Sequence, residues 1–175
     1  DLVPAFPHLA LAQEHLNNVD PDLVPKEHLA TLQEIKNRLP LLTASLQEFL
    51  ELSNAISEIL GGNGSKKYLI VFQNNTEIRP TGGFMGSFAE VTMSKGEIKD
   101  LIVPGGGTYD LQGTLQDFII APKPLQLLSA RWEFQDANWF PDFPTSARQI
   151  MDFFRATGGP TIDGVIAINA TYVAD

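Results

Sequence analysis

The chain has 175 residues, 43% of them apolar, with 12 lysines and arginines against 21 aspartates and glutamates and no cysteine. This is a globular rather than a disordered composition. The formal charge of -9 excludes an overall basic footprint for nucleic acid, and the missing cysteines exclude disulfides, thiolate-bound metals and thiol catalysis without fixing a compartment.

The chain divides near Gly61. The first part holds all three histidines (His8, His15, His28) and carries -6 of the net charge, whereas eleven of the 14 glycines lie from Lys66 onward. Residues 1–65 therefore read as a helical stalk or hairpin. Pro7 suits a first helical turn, Leu9, Ala12 and Leu16 recur at helical spacing, and residues 17–21 carry turn chemistry. Pro25 and Glu27 start a second helix. Along it Leu32, Ile35, Leu39, Leu42, Leu46 and Phe49 alternate steps of three and four, with Ile56 seven residues on, a stripe that must be buried. Pro40 is expected to kink this helix, and residues 61–65, rich in glycine, to end it as a flexible joint.

Residues 66–175 read as an α/β core. The continuous apolar run 68–72 predicts a central strand covered on both faces. Residues 84–93 and 97–103 form a hairpin about Ser94, Lys95 and Gly96. A helix follows over 144–157, then a buried strand over 164–168, after which Asn169 is placed to cap a further helix. The fold class is α/β (α+β), a helical stalk followed by a mixed sheet flanked by helices. The first residues lack signal-peptide character, and the start without methionine and the end at the opening of a helix suggest a piece truncated at its C-terminus.

Two stretches hold the chemistry. Residues 72–86, FQNNTEIRPTGGFMG, gather Gln73, Asn75, Thr81 and the fixed cation Arg79 where a buried strand leaves the sheet, the usual place for a site. Equally, Asn and Thr there can satisfy loop backbone, and Arg79 can simply pair with a carboxylate. Residues 136–148, DANWFPDFPTSAR, place Asp136 and Asn138 among aromatics ahead of a helix N-terminus, as a lid or as a plug in which Asp142 or Thr145 caps the helix. Arg148, one turn into that helix, is a candidate to converge with Arg79 on a pyrophosphate, because guanidinium forks pair with phosphate oxygens. Asp110 is a candidate metal ligand or a turn residue. No histidine follows His28, so neither a Ser-His-Asp triad nor a zinc-hydrolase cluster can be built in the core, and catalytic residues stay unassigned. The glycine run before Lys66 lies between helix and strand, the wrong order for a phosphate loop.

These two motifs, with IDGVIAI at 162–168, resemble a bacterial family of envelope-associated proteins known only as a domain of unknown function, whose members carry an N-terminal membrane anchor, a helical region and this α/β domain. A fainter similarity links that family to the LytR-CpsA-Psr phosphotransferases, which move glycopolymers from polyprenyl-pyrophosphate carriers to the cell wall. The resemblance implies an extracytoplasmic protein, anchored through a segment absent from this chain, with a lipid-linked glycan or an envelope protein as partner. It also implies Arg79 and Arg148 as pyrophosphate ligands. The transferases follow the first arginine with an aspartate and carry a Pro-Arg-Asp-Thr loop after the hairpin. Here those stretches read Arg79-Pro80-Thr81-Gly82 and Pro104-Gly105-Gly106-Gly107-Thr108. The expected function is accordingly an envelope-associated binding or structural module for an anionic ligand, without transferase activity. The alternative is a glycopolymer phosphotransferase using magnesium, with Asp110 or Asp136 as its carboxylate. Self-association through the helical stripe is a further expectation.

Overall fold

A computed structural model describes residues 3–169 and Thr171. The helix expected beyond Asn169 lies outside the described residues. The chain separates into two compact units, residues 1–58 and 59–175.

In the first unit, α1 spans Ala5–Asn17 and α2 spans Leu29–Ile59, its last residue belonging to the second unit. Between them Asp20 caps a short turn over Pro21–Leu23 by accepting from Asp22 N at 3.0 Å, and Lys36 Nζ donates to Val19 O at 3.3 Å. α2 runs through Pro40 as one helix. The apolar stripe is not buried as the spacing implies: no residue of α2 is buried, and Phe49 is 57% exposed. Helical periodicity says that a face wants a partner, not that this chain supplies one.

The second unit is built on a four-stranded sheet in the order β3-β2-β1-β4, with β1 at Lys66–Asn74, β2 at Phe84–Ser94, β3 at Glu97–Ile102 and β4 at Gly164–Asn169. β2 is antiparallel to β1 and β3, and β4 is parallel to β1. The β2–β3 hairpin turns at Lys95 (φ 53°) and Gly96 (φ 77°), the left-handed pair that matches strand twist. Gly61 is buried, and its carbonyl accepts Lys95 N at 2.9 Å while Leu60 O accepts Gly96 N at 2.9 Å, so the start of the glycine run is tied to the hairpin tip. β1 is central, but only one of its faces is buried. Leu69, Val71 and Gln73 are enclosed, whereas Tyr68, Ile70 and Phe72 are half-buried. A continuous apolar run implies two covered faces; here the packed residues lie on one.

That face carries the core. Helix α3, Phe143–Ala156, contributes Ile150, Phe153 and Phe154 against Leu69, Val71 and Phe88. Phe88, Phe134 and Phe154 stack on one another at centroid distances of 5.4, 5.7 and 6.0 Å. Trp132 meets Phe140 and Phe153 edge-on. Residues 103–142 have little regular structure apart from short turns over Gly107–Leu111, Leu125–Leu127 and Phe134–Asp136. Phe134 and Ala137 are fully buried, so the aromatic loop is a plug rather than a lid. No helix among the described residues is long and apolar enough to cross a membrane.

Candidate functional site

The ends of the parallel strands β1 and β4 bring Gln73 opposite Asn169. A register shift between Phe72 and Gln73 marks a bulge, the device that re-aims a side chain at a strand end. Gln73 is 2% exposed and its Nε2 donates to Thr81 Oγ1 at 2.8 Å. The same hydroxyl oxygen accepts from Asn138 Nδ2 at 2.8 Å, and that amide also donates to Gly83 O at 2.7 Å. Asn138 is wholly buried, where such bonds are obligatory because an unpaired amide loses its water without compensation. Gly82, at φ 124°, passes so close that a Cβ there would stand 3.3 Å from Gln73 Oε1 and 3.6 Å from Asn169 Oδ1.

Arg79 lies beside this cluster. Its Nε donates to Asp136 Oδ1 at 3.3 Å, its Nη1 to Ile78 O at 3.1 Å, and its guanidinium carbon sits 5.1 Å from the centroid of the Phe84 ring. The two ionised side chains are 16% and 17% exposed. Burial raises the Asp136 carboxyl above its ordinary value, the attraction and hydrogen bond of Arg79 pulling the other way without making up the difference. Trp132 Nε1 donates to the Asp136 carbonyl at 2.8 Å, fixing the turn that presents it. The two chemistry-bearing stretches of the sequence thus meet through Arg79 with Asp136 and through Thr81 and Gly83 with Asn138.

Three candidates fall elsewhere. Asn75 is exposed at the tip of the turn that Asn74 closes, accepting from Thr76 N and Oγ1 at 3.1 and 2.7 Å. Arg148 is exposed and donates to Thr145 Oγ1 at 3.2 Å, beside the N-terminus of α3. There Asp142 caps the helix, accepting from Thr145 N at 2.9 Å and Oγ1 at 2.6 Å. Those bonds, with Arg148 a lesser contributor, hold its carboxyl below the usual range. The expected convergence of Arg148 with Arg79 is therefore corrected: each guanidinium is held by a different neighbour, and the helix N-terminus is already filled by Asp142. Asp110 is corrected as a metal ligand. Its Oδ2 accepts Gly106 N at 2.9 Å, closing its own turn, and no group of three or more His, Cys, Asp or Glu side chains among the described residues has metal-binding geometry. The described residues do not fit a magnesium site.

Sequence reasoning missed Phe84, Asn169 and the Arg131–Glu133 pair. Glu133 is 5% exposed and stands 3.1 Å from Arg131 Nε, out of hydrogen-bond alignment, while its other oxygen accepts Gly113 N at 3.1 Å. An aromatic directly after two glycines was the one local signal for a ring beneath Arg79.

The fold and this cluster define an α+β domain with a polar, loop-tied centre at one end of its sheet. The model of the family described as a protein of unknown function, DUF4012, matches residues 63–175, and the chain belongs to that family. No curated protein and no solved structure matches it.

Proposed function

We propose that the protein is a cell-envelope-associated binding module that takes an anionic group, the pyrophosphate of a lipid-linked glycan or glycopolymer, at Arg79, without transferring it. The observation that carries this reading is the setting of Arg79. Its guanidinium is fixed on the Phe84 ring at the carboxyl end of a parallel strand pair, opposed only by a carboxylate that burial disfavours. An incoming phosphate takes the place of the Asp136 carboxylate, with Thr81 and the Gly82–Gly83 backbone alongside. Ile78, 87% exposed, and Tyr109, whose ring is 6.2 Å from Phe84, offer apolar surface near the same end for a prenyl chain.

Binding without transfer is favoured because the motif positions that supply carboxylate and second arginine in the resembling transferases hold Pro80, Gly105 and Gly106 here. The test is binding of the chain to vesicles containing polyprenyl pyrophosphate. Arg79→Ala is expected to weaken it at least tenfold, the loss of a charge-assisted hydrogen bond of about 1.5–3 kcal/mol, and Asp136→Asn to strengthen it. Equal binding by wild type and Arg79→Ala discards the reading. Magnesium-dependent turnover of the lipid would replace it with the transferase.

A further inference from the structure

We propose that α2 is a self-association helix, and that three or four copies of this chain align their α2 helices in parallel and in register to bury its apolar stripe. The proposal concerns the first unit and is independent of ligand binding at Arg79.

The stripe sorts into heptads, with Leu32, Leu39, Leu46 and Ser53 at the a positions and Ile35, Leu42, Phe49 and Ile56 at the d positions. Four heptads of this kind are long enough to specify a coiled coil. The seam is exposed in the single chain: Ile35, Leu42, Phe49 and Ile56 are 44–57% accessible. It also has the relief a neighbouring helix needs. Ile35, Arg38, Leu39 and Leu42 line an open apolar groove of about 440 Å³, with Glu34 at its rim. These are the four positions d, g, a and d that form the hole for an incoming a-position knob. Arg38 is drawn to the rim by Glu34 at 2.8 Å, and Pro40 falls at a b position, outside the seam.

Residue identity selects the partner and its direction. Leu at a with Ile at d disfavours two-stranded packing and favours three or four strands. Leu50 and Leu52, at e and g of the third heptad, widen the apolar face as a larger bundle requires, and Leu52 is 60% exposed. In a parallel alignment these leucines meet their own kind and Ser53 meets Ser53. In an antiparallel one centred on Leu46, Ser53 would face Leu39, and the apolar flank would face Lys36 and Arg38, leaving a polar group and charges against leucine. The polar flank does not suit a membrane surface, since α2 carries four glutamates against one lysine and one arginine and anionic lipid would repel it.

Sedimentation of the intact chain is expected to give three or four times its 19.2 kDa mass. Leu39→Glu is expected to return one chain, and Glu51→Lys, at an f position, to leave the assembly unchanged. Because the chain has no cysteine, Ser53→Cys reports direction without perturbing the seam: mild oxidation is expected to join Ser53→Cys chains to one another. A mass of one or two chains in the wild type overturns the proposal, as does cross-linking of Ser53→Cys to Leu39→Cys in preference to itself. Burial of the stripe within a monomer, or vesicle binding by monomers, overturns it as well.

Discussion

Asn138 joins two acceptors of one loop, Thr81 Oγ1 and Gly83 O, from a position 57 and 55 residues away in sequence. Its two donors lie in the interior, so Asn138→Leu deletes both and leaves Gly83 O without that partner. The expected cost is about 2–3 kcal/mol in urea unfolding, at the upper end for a buried group left unsatisfied. Asp142 and Asp136 act on acid stability with opposite signs. The Asp142 carboxyl is held low by Thr145, so its stabilisation is present above the ordinary aspartate value and is lost as pH falls through the depressed one. Asp142→Asn keeps an acceptor at the cap and is expected to flatten that acid limb. Asp136 is raised, so between its ordinary and raised values the folded state binds the extra proton and the contribution of this group falls as pH rises. Urea titrations of wild type and Asp142→Asn at pH 3 to 6 separate the two. The candidate residues Gln73, Arg79, Thr81, Asp136 and Asn138 were legible because amides, hydroxyls and one cation crowd a strand end. Their partners were not, since a bond across 57 residues leaves no local pattern.

At the scale of elements, the loop after β1 depends on close backbone approach. A Cβ at Gly83 would stand 2.4 Å from Asn74 O, so Gly83→Ala must push strand and loop apart. A loss of about 1–3 kcal/mol is expected, the usual cost of overpacking, read by the same unfolding assay. Pro40 lies inside α2, where its missing N–H leaves a helical carbonyl unmatched. Pro40→Ala is expected to raise the thermal stability of α2 by up to about 3 kcal/mol, followed by circular dichroism at 222 nm. Strands, hairpin and α3 were readable because period, Lys95-Gly96 and the capping Asp142 are local signals. Residues 103–142 were not readable as structure, because their aromatics are ordered by the core rather than by their neighbours in sequence.

For the whole molecule, the two units differ in what holds them. Residues 59–175 have a buried aromatic core, while α2 has no buried residue. A chain reduced to residues 59–175 is expected to keep the near-ultraviolet dichroism of Trp132 and Trp139, and the intact chain to unfold in more than one calorimetric transition. A single transition abolished by removing residues 1–58 would show that the core depends on them. By itself the sequence determined the order of elements, the division into helices and α+β core and the family, because periodicity, turn chemistry and motif order are properties of neighbouring residues. Only the tertiary structure decided that Arg79 is held by Asp136, that Arg148 and Asp110 serve their own turns, and that one face of β1 takes the core. Those outcomes depend on which distant side chains share a desolvated space, and desolvation is set by packing rather than by spacing along the chain.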